Sequence, residues 1–440
     1  MNRNLSQIPS LAPSPSRTRA RSEGAFAIAF LACAVALGLP SADNAKAATN
    51  LPSPLKLNFE PNLPVVVLEC KQPINHEQRT PCTLRIMGPD TLNNRASNAL
   101  PASIRIHGGV SQGFAKKSFG VTLAAPARLL DMRESAHWVL NAAYIDRSLM
   151  RHKLSYDLFR SLSVSNAARH AVASRFVEVY LNADYQGAYL LMERIDRQLL
   201  QLRSFSSNEA AHACIYKAVD HTANFGQPGY AGYEQREPDA LTHPYWQPLE
   251  EFNQFVSSAS DQDFFAPDRG VASKLDLDNA IDFHLLVLLT CNLDGITKNF
   301  ILARNAPASG PLKPRFFFAP WDYDGTFGQN WDASPVGPDA WLSNHLFDRL
   351  MSDRAYRARF AKRWGQLRQR EFSARNIQEM IDANVRTLGE AARRNWSRWG
   401  GAGEGYPNKL SFDQDVAGMK HWVEARTRWL DQEIARRCAP

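Results

Sequence analysis

Between Cys291 and Gly328 the chain reads CNLDGITKNFILARNAPASGPLKPRFFFAPWDYDGTFG, and few folds accommodate that order of polar and apolar residues. NFILAR and PRFFFAPW are apolar runs of strand length, and NAPASGPLK between them is rich in turn formers, so the stretch predicts a β-hairpin. Asp294 and Asn299, in D-x-x-x-x-N spacing, stand before the first strand, and Asp322 and Asp324 leave the second. Singly, such residues are ordinary turn chemistry, since Asp, Asn and Gly favour turns. Paired about a hairpin they suit phosphoryl transfer. One Asp orients a hydroxyl nucleophile, while an Asn and a second Asp hold magnesium on the phosphates.

The 440 residues are 44% hydrophobic and 22% charged, an ordinary globular balance that permits a sizeable core. The N-terminus departs from it. Residues 1–24 are polar with Arg3, Arg17, Arg19 and Arg21; AFAIAFLACAVALGLP follows, and then Ala45-Lys46-Ala47, an A-x-A cleavage pattern. This predicts a signal peptide over 1–47 and an exported protein, periplasmic, in the cell envelope or extracellular. The apolar segment is too short and alanine-rich for a membrane span, and FLAC around Cys33 is a poor lipidation site. The formal charge is +7, and the leader carries away four Arg and Lys46 against only Glu23 and Asp43. The modest basicity left, without a basic run interleaved with aromatics, gives no case for nucleic acid. Cys70 and Cys82 bracket KQPINHEQRTP, which predicts a local disulfide in an oxidising compartment. Cys291 is expected to be buried beside the acidic site.

In order, LPVVVLEC and CTLRIMG read as strands of a β-rich lead-in over 48–100. SIRIHGGVSQGFAKKSFGVTL reads as a hairpin whose turn holds Gly108, Gly109 and Gly113. A glycine turn with Lys116 or Lys117 on the return strand suits nucleotide phosphates, although most glycine hairpins are only hairpins. The two lysines face opposite sides of a strand, so one alone enters a cleft, and Lys117 is favoured. A helix from Asp146 to about Leu162 buries Met150, Leu154, Leu158 and Leu162. RFVEVYLN and GAYLLME make a second hairpin, whose exit places Glu193 and Asp196 at a crossing between two parts of the chain. Residues 200–260 read as an irregular insert, a candidate substrate lid. His284, on an apolar helix over 276–290, reads as a packed residue. Helices are predicted over 345–370, 374–394 and 412–436.

With these pieces placed, the chain resembles the CotH kinase family, the spore coat protein H-like atypical protein kinases. HGG…KKSFGVTL, WVLNAAYIDRSLMRHKLSYDLFR, FVEVYLNADYQGAYLLMERID, CNLDGITKNF, FFFAPWDYDGTFG and HWVEARTRWLD carry the likeness, over about residues 100–430. The resemblance implies an α+β, two-lobed protein-kinase-like fold with a β-rich N-lobe over 101–196 and a largely helical C-lobe over 197–440. The C-lobe would hold the insert, a catalytic loop over 291–328 and the helical tail. It also implies ATP and Mg²⁺ (or Mn²⁺) as cofactors and Ser/Thr of a protein as acceptor. By position Asp294 is the catalytic Asp; Asn299, Asp322 and Asp324 are metal ligands; Lys116 or Lys117, with Gly108 and Gly109, meets the phosphates; Glu193 lies near the nucleotide. The chain departs from kinases in having Asn292-Leu293 where His-Arg precedes the catalytic Asp, and in offering no Glu on the first helix. Arg151 and Lys153 of that helix read as phosphate contacts or, more simply, as solvated-face residues. The competing functions are a non-catalytic surface or envelope binding protein on the same scaffold, and phosphotransfer to a small molecule or glycan.

Overall fold

Alternating apolar runs in the first half of the chain pair into a closed seven-stranded barrel. The computed structural model describes residues 57, 59–88, 98–164, 167–205, 212–306, 314–400 and 409–439; the expected signal peptide lies outside them. The barrel strands are β1 (Val65–Cys70), β2 (Thr80–Met87), β3 (Leu100–His107), β4 (Ser118–Arg128), β5 (Glu134–Asn141), β6 (Ser174–Leu181) and β7 (Asp184–Glu193). Their order is β1-β2-β3-β4-β5-β7-β6, and a parallel pairing of β1 with β6, Val65 opposite Glu178 through Leu68 opposite Leu181, closes the ring. Side chains alternate in and out along each strand, so Val66, Leu68, Leu84, Ile104, Val121, Trp138, Leu140, Val179 and Leu191 fill one interior cluster. β2 pairs with β3. The barrel therefore runs across the boundary drawn at residue 100, because the strands before it supply part of the ring.

Cys70 and Cys82 meet as cross-strand partners on β1 and β2, as their spacing suggests, but as free buried thiols rather than a disulfide. A hydrogen bond between them lowers the Cys70 thiol and raises that of Cys82.

A helix, α1 (Arg151–Ser161), links β5 to β6, with Met150, Leu154, Leu158 and Leu162 buried as their spacing predicts. Its N-cap is Met150, but Asp146 Oδ2 still accepts the Arg151 N–H at 2.8 Å.

The remaining strands, β8 (Cys214–Ala218), β9 (Tyr233–Glu237), β10 (Phe300–Arg304) and β11 (Phe316–Pro320), form an antiparallel sheet in the order β11-β10-β8-β9. The expected hairpin is thus β10–β11. Residues 200–260 are not an irregular lid: β8 pairs along β10, Ile301 opposite Lys217, and widens that hairpin into a sheet. Strand alternation gives the sheet a buried face of Tyr216, Ala218, Tyr233, Phe300, Leu302 and Phe318, on which Phe225 and Phe283 pack. Ile215, Lys217, Glu234, Arg236 and Ile301 occupy the opposite face.

Around the sheet lie α2 (Gln247–Ser258), α3 (Asp261–Phe264), α4 (Leu277–Thr290), α5 (His345–Ser352), α6 (Arg354–Arg368), α7 (Ala374–Trp399) and α8 (Phe412–Arg437). α4 is buried from Asn279 to Thr290, with Asp282 ion-paired to Arg169 and Arg363 and Asp276 capping its first turn. Gly389, at φ +41°, breaks α7 into two segments. Among the described residues no helix is long and apolar enough to cross a membrane.

Candidate active site

The first acidic site is built by the end of α4. Cys291 adopts the left-handed conformation, at φ 51° and ψ 47°, and turns the chain out of the helix. Asn292 is buried in the turn; its Oδ1 accepts the Gly295 N–H at 2.9 Å and its Nδ2 donates to the Asp322 carbonyl at 3.2 Å. Gly295 is required by this approach, since a Cβ there would lie 2.7 Å from Asn292 Cγ. The loop presents the Asp294 carboxylate with Lys298 Nζ 3.0 Å and His221 Nε2 3.7 Å away. Asn299, at φ 59°, ends the loop and anchors it by donating its N–H to Ala218 of β8.

Three side chains of α1 hold the second site. The Asp322 N–H donates to Tyr156 Oη at 3.0 Å, the Tyr323 N–H to His152 Nδ1 at 3.1 Å, and Arg151 Nε to the Thr326 carbonyl at 2.9 Å. Arg151 is itself buried between Asp146 and Asp415, the latter on α8, whose two oxygens lie 2.6 and 2.7 Å from its guanidinium. That paired charge raises the Arg151 pKa against the penalty of burial. Arg151 therefore meets protein carboxylates rather than a ligand, and Lys153 pairs with Asp157 at 2.7 Å. The far end of the loop is tied to α4, where the Phe327 N–H donates to Thr290.

Asp322, Asp324 and His152 bring possible ligand atoms within 4.8 Å of one another. Burial lowers the His152 pKa, so the ring is neutral, and because its Nδ1 accepts from Tyr323 its proton sits on Nε2. That Nε2 lies 3.8 Å from Asp322 Oδ1. A protonated nitrogen offers no lone pair, so that tautomer leaves metal binding to oxygen donors, and what the ring fixes is the loop backbone at Tyr323. Asp324 is pushed well above the usual carboxylate range, first by burial and then by the Asp322 charge. The carboxylates of Asp322 and Asp324 are oxygen donors of the kind a hard divalent cation takes, and Asn299 lines the same cleft.

Both sites open on one cleft of about 860 Å³, within the usual range for small-molecule sites. The Gly108–Gln112 turn lines one wall, Met192, Arg194 and Asp196 the exit of β7, and the exposed face of the second sheet the floor. Gly108, at φ +117°, makes the turn; a Cβ there would strike Ser111. Not every expected residue reaches the cleft usefully. Lys116 is 1% exposed, and its ammonium donates to the carbonyls of Ala142 and Ala188 and to Asn395 Oδ1. All three of its protons are thus taken by protein. Lys117 donates to the carbonyls of Gln112 and Phe114, bracing its own turn. Glu193 is buried away from the cleft, where its Oε2 accepts the Ala173 N–H at 2.7 Å and Arg133 lies 3.3 Å from its other oxygen.

Sequence reasoning passed over His152 and Tyr156, whose signal is two polar rings at i, i+4 on a helix that is otherwise core. It also passed over Lys217, on a strand it left irregular. The cleft is electropositive away from the carboxylates: His107 is pushed down to about 4, by burial first and then by Lys217, Arg194 and Arg105.

The chain belongs to the CotH kinase protein family, whose model matches residues 104–430. It is similar to the inner spore coat protein H of Bacillus subtilis (strain 168), 26% identical over 308 residues that make up 67% of this chain and 77% of that protein.

Proposed function

We propose that this protein is an exported atypical protein kinase that transfers the γ-phosphate of ATP to Ser or Thr of a protein. The observation that carries the reading is the convergence of Asp294 with Asn299, Asp322 and Asp324 on one cleft beneath a glycine turn. In this reading the barrel is the core of the N-lobe, the second sheet and its helices are the C-lobe, and nucleotide lies between them. Asp294 accepts the proton of the acceptor hydroxyl. The hydroxyl oxygen bonds to the γ-phosphorus as the bond to the β–γ bridging oxygen breaks, and ADP departs with that electron pair. Asn299, Asp322 and Asp324 would hold Mg²⁺ or Mn²⁺, which when bound neutralises charge on the phosphate oxygens. His152, Tyr156 and Arg151 keep the backbone of the metal loop fixed, and Asn292 couples it to the loop of Asp294.

Phosphate transfer from labelled ATP with Mg²⁺ or Mn²⁺, to the chain itself and to a Ser-rich protein, tests the proposal with Asp294→Asn alongside. Label that disappears in the variant supports it. Label retained by the variant removes Asp294 from the role. A second reading draws on the relative's description as a spore coat protein: a non-catalytic envelope binding protein on the same scaffold. A folded chain whose thermal midpoint ignores Mg²⁺·ATP favours that reading.

A further inference from the structure

With both hairpin lysines committed to protein carbonyls, the kinase reading lacks a cation for the nucleotide phosphates. The second sheet supplies one. β8 and β10 pair with Lys217 opposite Ile301, and β8 and β9 with Lys217 opposite Glu234, so all three side chains rise from the same face. That face is the floor of the cleft, where Ile215, Lys217, Glu234, Arg236 and Ile301 all line the cavity. The Lys217 ammonium lies over the Trp321 ring, 5.1 Å from its centroid, and Trp321 immediately precedes Asp322. The next residue of β8, Ala218, accepts the N–H of Asn299. Lys217 thus lies over the neighbour of Asp322 and precedes the residue that anchors Asn299.

Among the described residues, no carboxylate or carbonyl lies within hydrogen-bonding or ion-pair distance of its ammonium. Arg105 and Arg194, on the walls of the same cleft, are likewise without a carboxylate partner there, whereas Arg236 is paired with Glu234 at 2.8 Å. Lys217, Arg105 and Arg194 share a partly desolvated cleft without a carboxylate in direct ion-pair contact, and an anionic ligand would offset their mutual repulsion. Burial lowers the Lys217 pKa while Asp322 raises it.

We infer that Lys217, on the cleft-facing side of the second sheet over Trp321, is the cation that receives the phosphates of the nucleotide in place of Lys116 and Lys117. The inference rests on the kinase reading. It moves the phosphate contact from the glycine hairpin to the floor beneath the metal ligands, and gives the segment before α2 a part in nucleotide binding.

Calorimetric titration of the full chain with Mg²⁺·ATP, and separately with adenosine, tests it in wild type, Lys217→Gln and Lys217→Arg. Lys217→Gln is expected to weaken ATP at least tenfold and leave adenosine unchanged, with Lys217→Arg recovering most of the loss. Equal weakening of both ligands would make Lys217 a structural residue and overturn the inference. So would unchanged ATP affinity in folded Lys217→Gln. A folded wild type that binds no nucleotide overturns the kinase reading, and this assignment with it.

Discussion

Asp294 sits at the end of a chain of local constraints, each of which a single substitution can test. Its carboxylate faces Lys298 and His221 in a partly open loop, so neutralising it removes a proton acceptor without stranding a buried charge. Asp294→Asn should lower phosphate transfer by about 10²- to 10⁴-fold, the usual worth of a general base, while the thermal midpoint stays put. A parallel fall in stability would mean the residue works as a structural anchor. His284 tests a different property. It is buried in α4, stacked on Phe347 at 4.2 Å with Nε2 2.8 Å from the Leu342 carbonyl, and burial pushes it down from 6.5 to about 4. An unfolded chain binds that proton first, so the stability present above pH 6.5 drains away as pH falls toward 4, by at most roughly 3 kcal/mol. His107, displaced similarly, adds to the same window. Urea midpoints at pH 7.5 and 4.5 should therefore converge in His284→Gln relative to wild type; an identical acid loss in both would refute the assignment.

For the elements, legibility followed the range of the interactions. The β10–β11 hairpin, the α1 stripe and the apolar α4 rest on residues adjacent in sequence, and period and turn chemistry revealed them. β8 escaped because CIYKA is short, is followed by a glycine-rich segment and is held on one side by β10, more than eighty residues away. The lysines went wrong for a related reason. Both lysines precede β4, which begins at Ser118, so strand alternation does not set their directions; that Lys116 is the buried one depends on Tyr189 and Asn395, brought in by β7 and α7. The role of α1 was nearly as hidden, since the only trace of a helix that grips a loop by ring nitrogen and phenol is two polar rings at i, i+4, and the loop lies far away in sequence. Its energetic hinge is Asp415. Asp415→Ala leaves Arg151 buried with only Asp146 and should cost about 3–5 kcal/mol, measured by chemical denaturation. Because Arg151 also holds Thr326, Mg²⁺·ATP affinity should fall as well. A loss under 1 kcal/mol would show that water replaces the carboxylate.

In the whole molecule, α8 acts as a clasp: Asp415 reaches α1, and Arg426 donates to the Leu288 carbonyl of α4 and the Pro338 carbonyl beyond the metal loop. The acidic site depends on a helix that starts over eighty residues after it. The ring of strands carries a different lesson. The stretch that matches the family model begins at residue 104, inside β3, whereas the hydrogen-bonded circle is completed by β1 and β2. A chain started at residue 104 would leave β6 and the remnant of β3 with bare donors and acceptors along their length, the template on which chains stack edge to edge. Such a fragment should collect in the insoluble fraction, while one begun near residue 57 stays in solution. The β-rich lead-in is the stave without which the cask does not hold.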